Sequence, residues 1–477
     1  MTTLATPGAG QRETRPPGMT AAVALPGAAT LLGLMNYTAP IATLTDTANG
    51  LHAGTTARIW VMSSISLGLA AALLVVGALA DDHGRRRLFT LGGALLALSS
   101  VGCALAPNSA AFVAGRVVQG VATAALLATG LGIIGHTYTG AARARAAGLW
   151  GAMLGLGIAL GPIAAAWFAQ LADWRLWYWF TLVASLALTA ASRVLPESRA
   201  DHRRGLDLPG LITMVGGIST LLTAVTLGRT GWTRPSVLTL LAAAVVLLTA
   251  FVVVESRRTS PMLDLGLFRR PAFLLSIGGA MVTGLAVIGM TSNLVTVMVG
   301  AMRLSALAAS FVLAIWSGVS YVVALQARRL PARWPAGLLL GTGLALSAVG
   351  ELAMLGINPG MSWWGLAPGL LIAGAGSGLA NAMLARLAVD SVPAQRAGMG
   401  SGANNTARYT GAALGVAMIF AITTNNGTGP HALTHGFSIA LLVSAVLCAL
   451  GAVLAVPLTR RLSAHATTST VVPAPTS

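Results

Sequence analysis

Residues 58–106 read RIWVMSSISLGLAAALLVVGALA (58–80), DDHGRRR (81–87) and LFTLGGALLALSSVGCALA (88–106). Each outer segment is about 20 residues of nearly unbroken apolar sequence, the length a helix needs to cross hydrocarbon. A soluble helical hairpin would place a polar stripe along each helix. Here the charge is confined to the connector, so the stretch reads as two membrane helices joined by a charged turn.

The same pattern extends along the chain. Of 477 residues, 55% are hydrophobic and only 9% charged, against about 25% charged in soluble domains. No water-soluble shape hides that much apolar sequence, which leaves lipid as the solvent. The 57 glycines suit close helix packing in lipid. A net charge of +17 raises nucleic acid as a partner, but the arginines sit at intervals between apolar runs instead of on one basic face, so no nucleic-acid partner is expected. Cys103 and Cys448 lie in apolar runs without metal-ligand spacing, and no structural disulfide is expected.

Apolar runs give fourteen spans, at 21–44, 58–80, 88–106, 109–134, 146–170, 174–194, 208–228, 236–255, 271–299, 305–325, 335–357, 362–385, 396–422 and 435–458. The 271–299 run is long enough to tilt or to leave the membrane in part. Arginine placement tests the count. With the N-terminus cytoplasmic, 22 arginines fall on the inside and five outside (Arg58, Arg175, Arg229, Arg234 and Arg303), while Arg116 and Arg408 lie within spans. That asymmetry is the positive-inside pattern, and an error of one helix would scramble it. Both ends are therefore expected in the cytoplasm: a tail over 1–20 containing Arg12 and Arg15, and a second over 459–477, disordered from Ser463.

The connector carries its own chemistry. Gly77 lets another helix approach the end of the second span, and Gly84 permits a tight turn. Asp81 sits where a helix ends, able to accept from the arginines or from a neighbouring helix N-terminus. Such a charged latch would hold one arrangement of two bundles and release in another. A plain positive-inside loop accounts for the arginines but not for the paired glycines or the aspartate.

Gly77, Asp81, Gly84, Arg85 and Arg86 fill every position of the Gly-x-x-x-Asp-x-x-Gly-Arg-Arg signature of the major facilitator superfamily, which this loop resembles. Arg116-Val117-Val118-Gln119-Gly120 is similar to its Arg-x-x-Gln-Gly motif. Gly151, Gly155, Gly157, Gly161 and Pro162 resemble its antiporter motif, with Ala164 and Ala165 where glycines are common, and Asp173-Trp174-Arg175 resembles the Trp-Arg pair of the fourteen-helix branch. The resemblance covers roughly residues 25–460. It implies an all-α polytopic fold of two six-helix bundles, 21–194 and 271–458, with two additional helices in the 195–270 linker. It also implies a monomeric drug:proton antiporter in a bacterial inner membrane, needing no cofactor and driven by the proton gradient. Gly151, Gly155, Gly161 and Pro162 would then belong to the contact that seals the halves, and Arg116 would be linked to proton movement.

Polar groups inside lipid are expensive and point to function. Arg116 reads either as a structural cation held by carbonyls or as a coupling charge. The acid that relatives carry in span one is replaced by Leu31. Glu351, some sixteen residues into its span, is then the first candidate for proton binding, since lipid disfavours a bare carboxylate; Asp46, just beyond span one, is the second. Asn36 and Tyr37 suggest a face turned to a cavity, and Asn293 adds a polar group in span nine. Asn404, Asn405 and Arg408 share a helical face that either lines the pathway or stitches helices together. Trp60, Trp150, Trp316 and Tyr409 are candidate aromatic walls for a lipophilic cation, whereas Trp174, Trp177, Tyr178 and Trp179 read as an interfacial belt.

The expected function is export of an amphipathic small molecule in exchange for protons by alternating access, with membrane lipids as the other partner. Uniport or proton-coupled import of a metabolite is the alternative, and a nontransporting receptor the reading from another class. No nucleophile–base grouping or nucleotide signature points to an enzyme.

Overall fold

The computed structural model describes residues 17–199, 207–228, 231–258, 261, 263–327, 329–331, 334–393, 397–424, 427 and 429–469. Most of the N-terminal tail with Arg12 and Arg15, together with Arg203, Arg204, Arg229, Arg328, Arg333, Arg396 and the last eight residues, lies outside the described residues.

The described secondary structure is helical. The first part holds α1 (Pro17–Thr38), α2 (Pro40–Gly50), α3 (Thr55–His83), α4 (Arg85–Ala104), α5 (Ser109–Thr137), α6 (Gly140–Leu171) and α7 (Leu176–Ala191). A hairpin follows, α8 (Leu208–Gly228) and α9 (Pro235–Arg257). The last part holds α10 (Pro271–Val282), α11 (Gly289–Gly300), α12 (Ala306–Ala327), α13 (Ala336–Ala353), α14 (Ala367–Asp390), α15 (Ala397–Thr424) and α16 (Pro430–Ser469). Thirteen described segments are long and apolar enough to cross a membrane. The 16-residue α7, extended by a 3₁₀ turn over Ser192–Val194, is the short fourteenth.

Two expectations change. Span one is not one helix: it breaks between Thr38 and Pro40 and resumes as α2, because proline has no N–H to continue the ladder. The 271–299 run, expected to tilt or leave the membrane in part, is helical from end to end, which neither expectation excludes, with a π turn at Thr283–Ile288 between α10 and α11. The C-terminal tail is not irregular from Ser463, since α16 runs to Ser469.

Within the first bundle α3 packs on α5, α4 on α5 and α7, and α1 on α5 and α6. Within the second, α13 packs on α14 and α16, α12 on α14, and α15 on α10 and the π turn. The halves meet where α3 runs along α15 and where α6 runs along α12 and α14. The α8–α9 hairpin leans on α3 and α15 from outside. Cys103 and Cys448 are buried free thiols.

Small residues set how closely these helices cross. A Cβ on Gly120 would collide with the Ile65 carbonyl and come within 2.9 Å of Gly68 Cα, so α3 and α5 touch backbone to backbone. Lipid offers no hydrophobic drive for this contact; dispersion between close backbones supplies it.

Candidate transport cavity and its gate

The break in α1 creates the first site. Pro40 cannot donate to the Asn36 carbonyl four residues back, and that orphaned oxygen needs a partner. Arg116 supplies it from α5, its Nη1 donating to Asn36 O at 2.8 Å and its Nη2 reaching Tyr37 O at 3.4 Å. Nη1 also donates to Gln119 Oε1 at 3.0 Å, while Gln119 Nε2 donates to Ser100 Oγ at 3.0 Å. The cation thus caps a helix C-terminus, where the peptide dipoles favour positive charge. Arg116 is fully buried, and among the described residues no carboxylate pairs with it. Trp177 Nε1 donates to Asn36 Oδ1 at 3.1 Å, locking the side chain of the same residue.

A narrow cavity lies between the halves at mid-length of their helices. Leu34 and Tyr37 line it from α1, Leu154 and Ile158 from α6, Trp316 from α12, Ser377 and Asn381 from α14, and Arg408 and Tyr409 from α15. The π turn adds Thr283, Val287 and Ile288. Here Gly284 does local work: a Cβ on it would strike the Arg408 carbonyl, so the widened turn and the α15 backbone are in contact. The cavity has about 20 Å³ open to the centres of water-sized molecules, enough for ordered water and far too little for an organic substrate. Tyr37 and Tyr409 meet edge to face across it, with ring centroids 5.7 Å apart.

The arginine-rich end is sealed. A Cβ on Gly402 would lie 3.1 Å from Leu74 Cα, and one on Gly77 would lie 3.2 Å from Gly398 O. A Cβ on Gly398 would come within 2.7 Å of Asp81 Oδ2, which puts the Asp81 carboxylate against the first turn of α15. Arg85 holds that carboxylate through Nε (3.1 Å) and Nη2 (2.7 Å). Gly84, with φ of +105°, ends α3 and starts α4 in a backbone region that L side chains avoid. On the other flank Gly155 packs against Ser317 and Tyr321 of α12, and Gly151 against Ala385 of α14.

The Major Facilitator Superfamily profile matches residues 27–416. The chain belongs to this superfamily. It is similar to the multidrug resistance protein Stp of Mycobacterium tuberculosis, 30% identical over 363 residues covering 76% of this chain and 67% of that one. It is likewise 30% identical over 450 residues to the puromycin resistance protein pur8 of Streptomyces alboniger, covering 90% of this chain and 89% of the relative. Among solved structures, the human organic anion transporter MFSD10 superposes with a TM-score of 0.68 at 16% identity, covering 92% of this chain and all of that chain. At that identity the likeness is one of fold. As a major facilitator superfamily member the chain is a multi-pass membrane transporter, not an enzyme.

Within this major facilitator fold the expected site residues divide. Tyr37, Trp316 and Arg408 line the cavity. Asn36 instead serves Arg116 and Trp177. Trp150 is buried in the first bundle near Pro26 and Gly130, and Trp60 sits in the opening turns of α3; neither lines the cavity. Asn293 donates to Gly289 O in its own helix. Asn404 Nδ2 donates to Ser276 O and Oγ, both at 2.9 Å, stitching α15 to α10, while Asn405 bonds Ser401 one turn back. The expected interfacial belt is largely internal: Trp174, Trp177 and Tyr178 are buried, Trp174 and Tyr178 against Phe112, leaving Trp179 exposed.

Gly157 and Gly161, unlike Gly151 and Gly155, face α1, where Cβ atoms would press on Leu34 and Thr38. Pro162 lies inside an uninterrupted α6. It leaves the Ile158 carbonyl without its in-helix donor, and the Thr38 hydroxyl lies 3.5 Å from that oxygen. Asp46 is exposed on α2. Glu351 is fully buried beside the Ser444 hydroxyl of α16 and away from the cavity, and among the described residues no cation pairs with it.

Two candidate site residues are not singled out by the sequence alone. Asn381 accepts from Arg408 Nη1 at 2.6 Å inside the cavity; a lone amide in the 362–385 run was the available signal. Glu197 sits at the N-terminus of α4, accepting from Arg86 N at 3.2 Å and pairing with the Arg86 side chain at 3.5 Å. Its only cue is an acid in a short link after the sixth span.

Proposed function

We propose that this chain is a secondary active exporter that exchanges an amphipathic small molecule for protons by alternating access across a bacterial inner membrane. The observation that carries the reading is a cavity at mid-length, between two bundles, whose arginine-rich end is closed by α3 against α15 and α6 against α12. Relatives named for multidrug and puromycin resistance support the direction of transport. The arginine asymmetry supports a cytoplasmic position for the sealed end and both termini. The described conformation is then the one after the cytoplasmic side has closed.

The halves that move are 21–194 and 271–458, with 195–270 supplying the α8–α9 hairpin beside the gate. Gly77, Asp81, Gly84, Arg85 and Arg86 form the latch, and Gly151 and Gly155 the facing seam. Glu351 is the proton-binding group: it lies in a span, buried and without a cationic partner among the described residues, where a negative charge is costly. Arg116 positions the broken span one, and Asp46 stands at the outer opening.

The test is flux in proteoliposomes under an imposed pH gradient, scored for ethidium and taurocholate. Substrate movement against its gradient, with protons moving the other way, is the expected result. Flux that ignores the pH gradient would support uniport instead, a mode that the lack of a carboxylate among the cavity-lining residues also favours.

A further inference from the structure

The charge balance of the cavity is one-sided. Arg408 is 6% exposed and lines it, yet among the described residues only Asn381, a neutral amide, accepts from its guanidinium there at 2.6 Å. Arg408 Nε has no hydrogen-bond partner. Trp316, 2% exposed on the facing helix, also leaves its indole Nε1 without one. Both orphaned atoms are N–H donors, so what the cavity lacks is acceptors. A second cation stands behind its wall, since Arg116 bonds the backbone of Tyr37, itself a lining residue. None of the lining residues is acidic.

A buried guanidinium with one neutral acceptor is under-compensated, and an unpaired buried donor costs free energy until something accepts from it. A ligand entering a widened form of the site would satisfy these donors by bringing acceptors of its own. Apart from the Thr283 and Ser377 hydroxyls, the rest of the wall is apolar or aromatic, with Leu34, Leu154, Ile158, Val287, Tyr37 and Tyr409. A small inorganic anion would leave that surface unused.

We propose that the site takes amphipathic organic anions, with acidic oxygens on the Arg408 guanidinium and the Trp316 N–H and the apolar body between Tyr37, Tyr409 and the aliphatic wall. This deepens the exporter reading and rests on it for transport, although binding can be measured alone. It also replaces the lipophilic cation expected from the aromatic residues, because a cation would enter beside an unneutralised arginine with no acid to receive it.

Equilibrium dialysis of the purified full chain in nanodiscs tests this with probes matched in shape. The pair 2-naphthoate and trimethyl(2-naphthyl)ammonium differs in charge on one ring system, and taurocholate against ethidium extends the comparison to larger molecules. Anions are expected to bind at least about tenfold more tightly than cations, reflecting one charge-assisted contact. Arg408→Gln should erase the preference and Arg408→Lys should retain much of it. Asn381→Asp keeps the shape of the side chain but places a carboxylate on the guanidinium; it should weaken anions and strengthen cations. Cations binding as tightly as their anionic partners, no binding by either anion, or a preference that survives both Arg408→Gln and Asn381→Asp would overturn the proposal. Flux separates the two readings. Transport of ethidium without either anion removes the anion class and keeps the exporter, whereas specific anion binding without flux keeps the site and removes the exporter.

Discussion

Replacing Asp81 by Asn should open the arginine-rich end. Its pair with Arg85 joins α3 to α4 inside one half, so that contact is present whether the end is open or shut and cancels from the balance. The contact with the first turn of α15 crosses between halves and exists only when the end is shut. A carboxylate at a helix N-terminus contributes about 0.3–1 kcal/mol when exposed and up to ~2 kcal/mol when partly buried. With the Asp81 side chain only 15% exposed, the upper half of that range applies. Losing roughly 1–2 kcal/mol shifts the closed-to-open ratio by about 5- to 30-fold. Electron–electron distance measurements between spin labels at Arg87→Cys and Gln326→Cys, with Cys103 and Cys448 replaced by Ser, would read the populations directly. A longer-distance population growing several-fold in Asp81→Asn is expected. An unchanged distribution in a folded variant would refute the latch.

Arg116→Met should strand the Asn36 carbonyl and the Gln119 amide, lowering stability by about 1–3 kcal/mol for each unpaired group, measured as earlier heat-induced loss of the monodisperse peak. Arg116→Lys should recover little, since a single ammonium cannot reproduce the two-nitrogen contact to Asn36 O and Tyr37 O. Gly120→Val should fail to fold, because its side chain meets the Ile65 carbonyl and Gly68, whereas Gly102→Val, with nothing within 4 Å of the added Cβ, should express normally. Glu351→Gln should leave binding intact and abolish substrate-driven proton movement; coupling at the wild-type stoichiometry would remove Glu351 from the mechanism.

Features that depend on local sequence were readable. The 77–87 turn needs glycine at 84 for its positive φ and an acid at 81 for its arginine, so its chemistry is written in adjacent residues. The arginine alternation fixed fourteen spans because each linker contributes independently. What depends on helix rotation was not readable. Trp150 and Trp316 look alike in sequence, each an aromatic in an apolar run, yet one faces Gly130 in its own bundle and the other faces the cavity. Asn293 and Asn381 are both lone amides in spans; the first spends its N–H on its own helix and the second meets Arg408. The π turn had no local signature either; it lies where Gly284 packs against α15. Trp177 passed for an interfacial residue because its partner, Asn36, lies 141 positions away.

Alternating access stands or falls on whether the arginine-rich end must part for substrate to move. Cysteines at Leu74 and Gly402, where a Cβ on residue 402 lies 3.1 Å from the backbone of residue 74, can be oxidised to bridge α3 and α15 in a protein otherwise lacking cysteine. Flux of taurocholate and ethidium in proteoliposomes should vanish on oxidation and return on reduction. Full-rate flux through the bridged protein would mean that substrate does not pass between these halves.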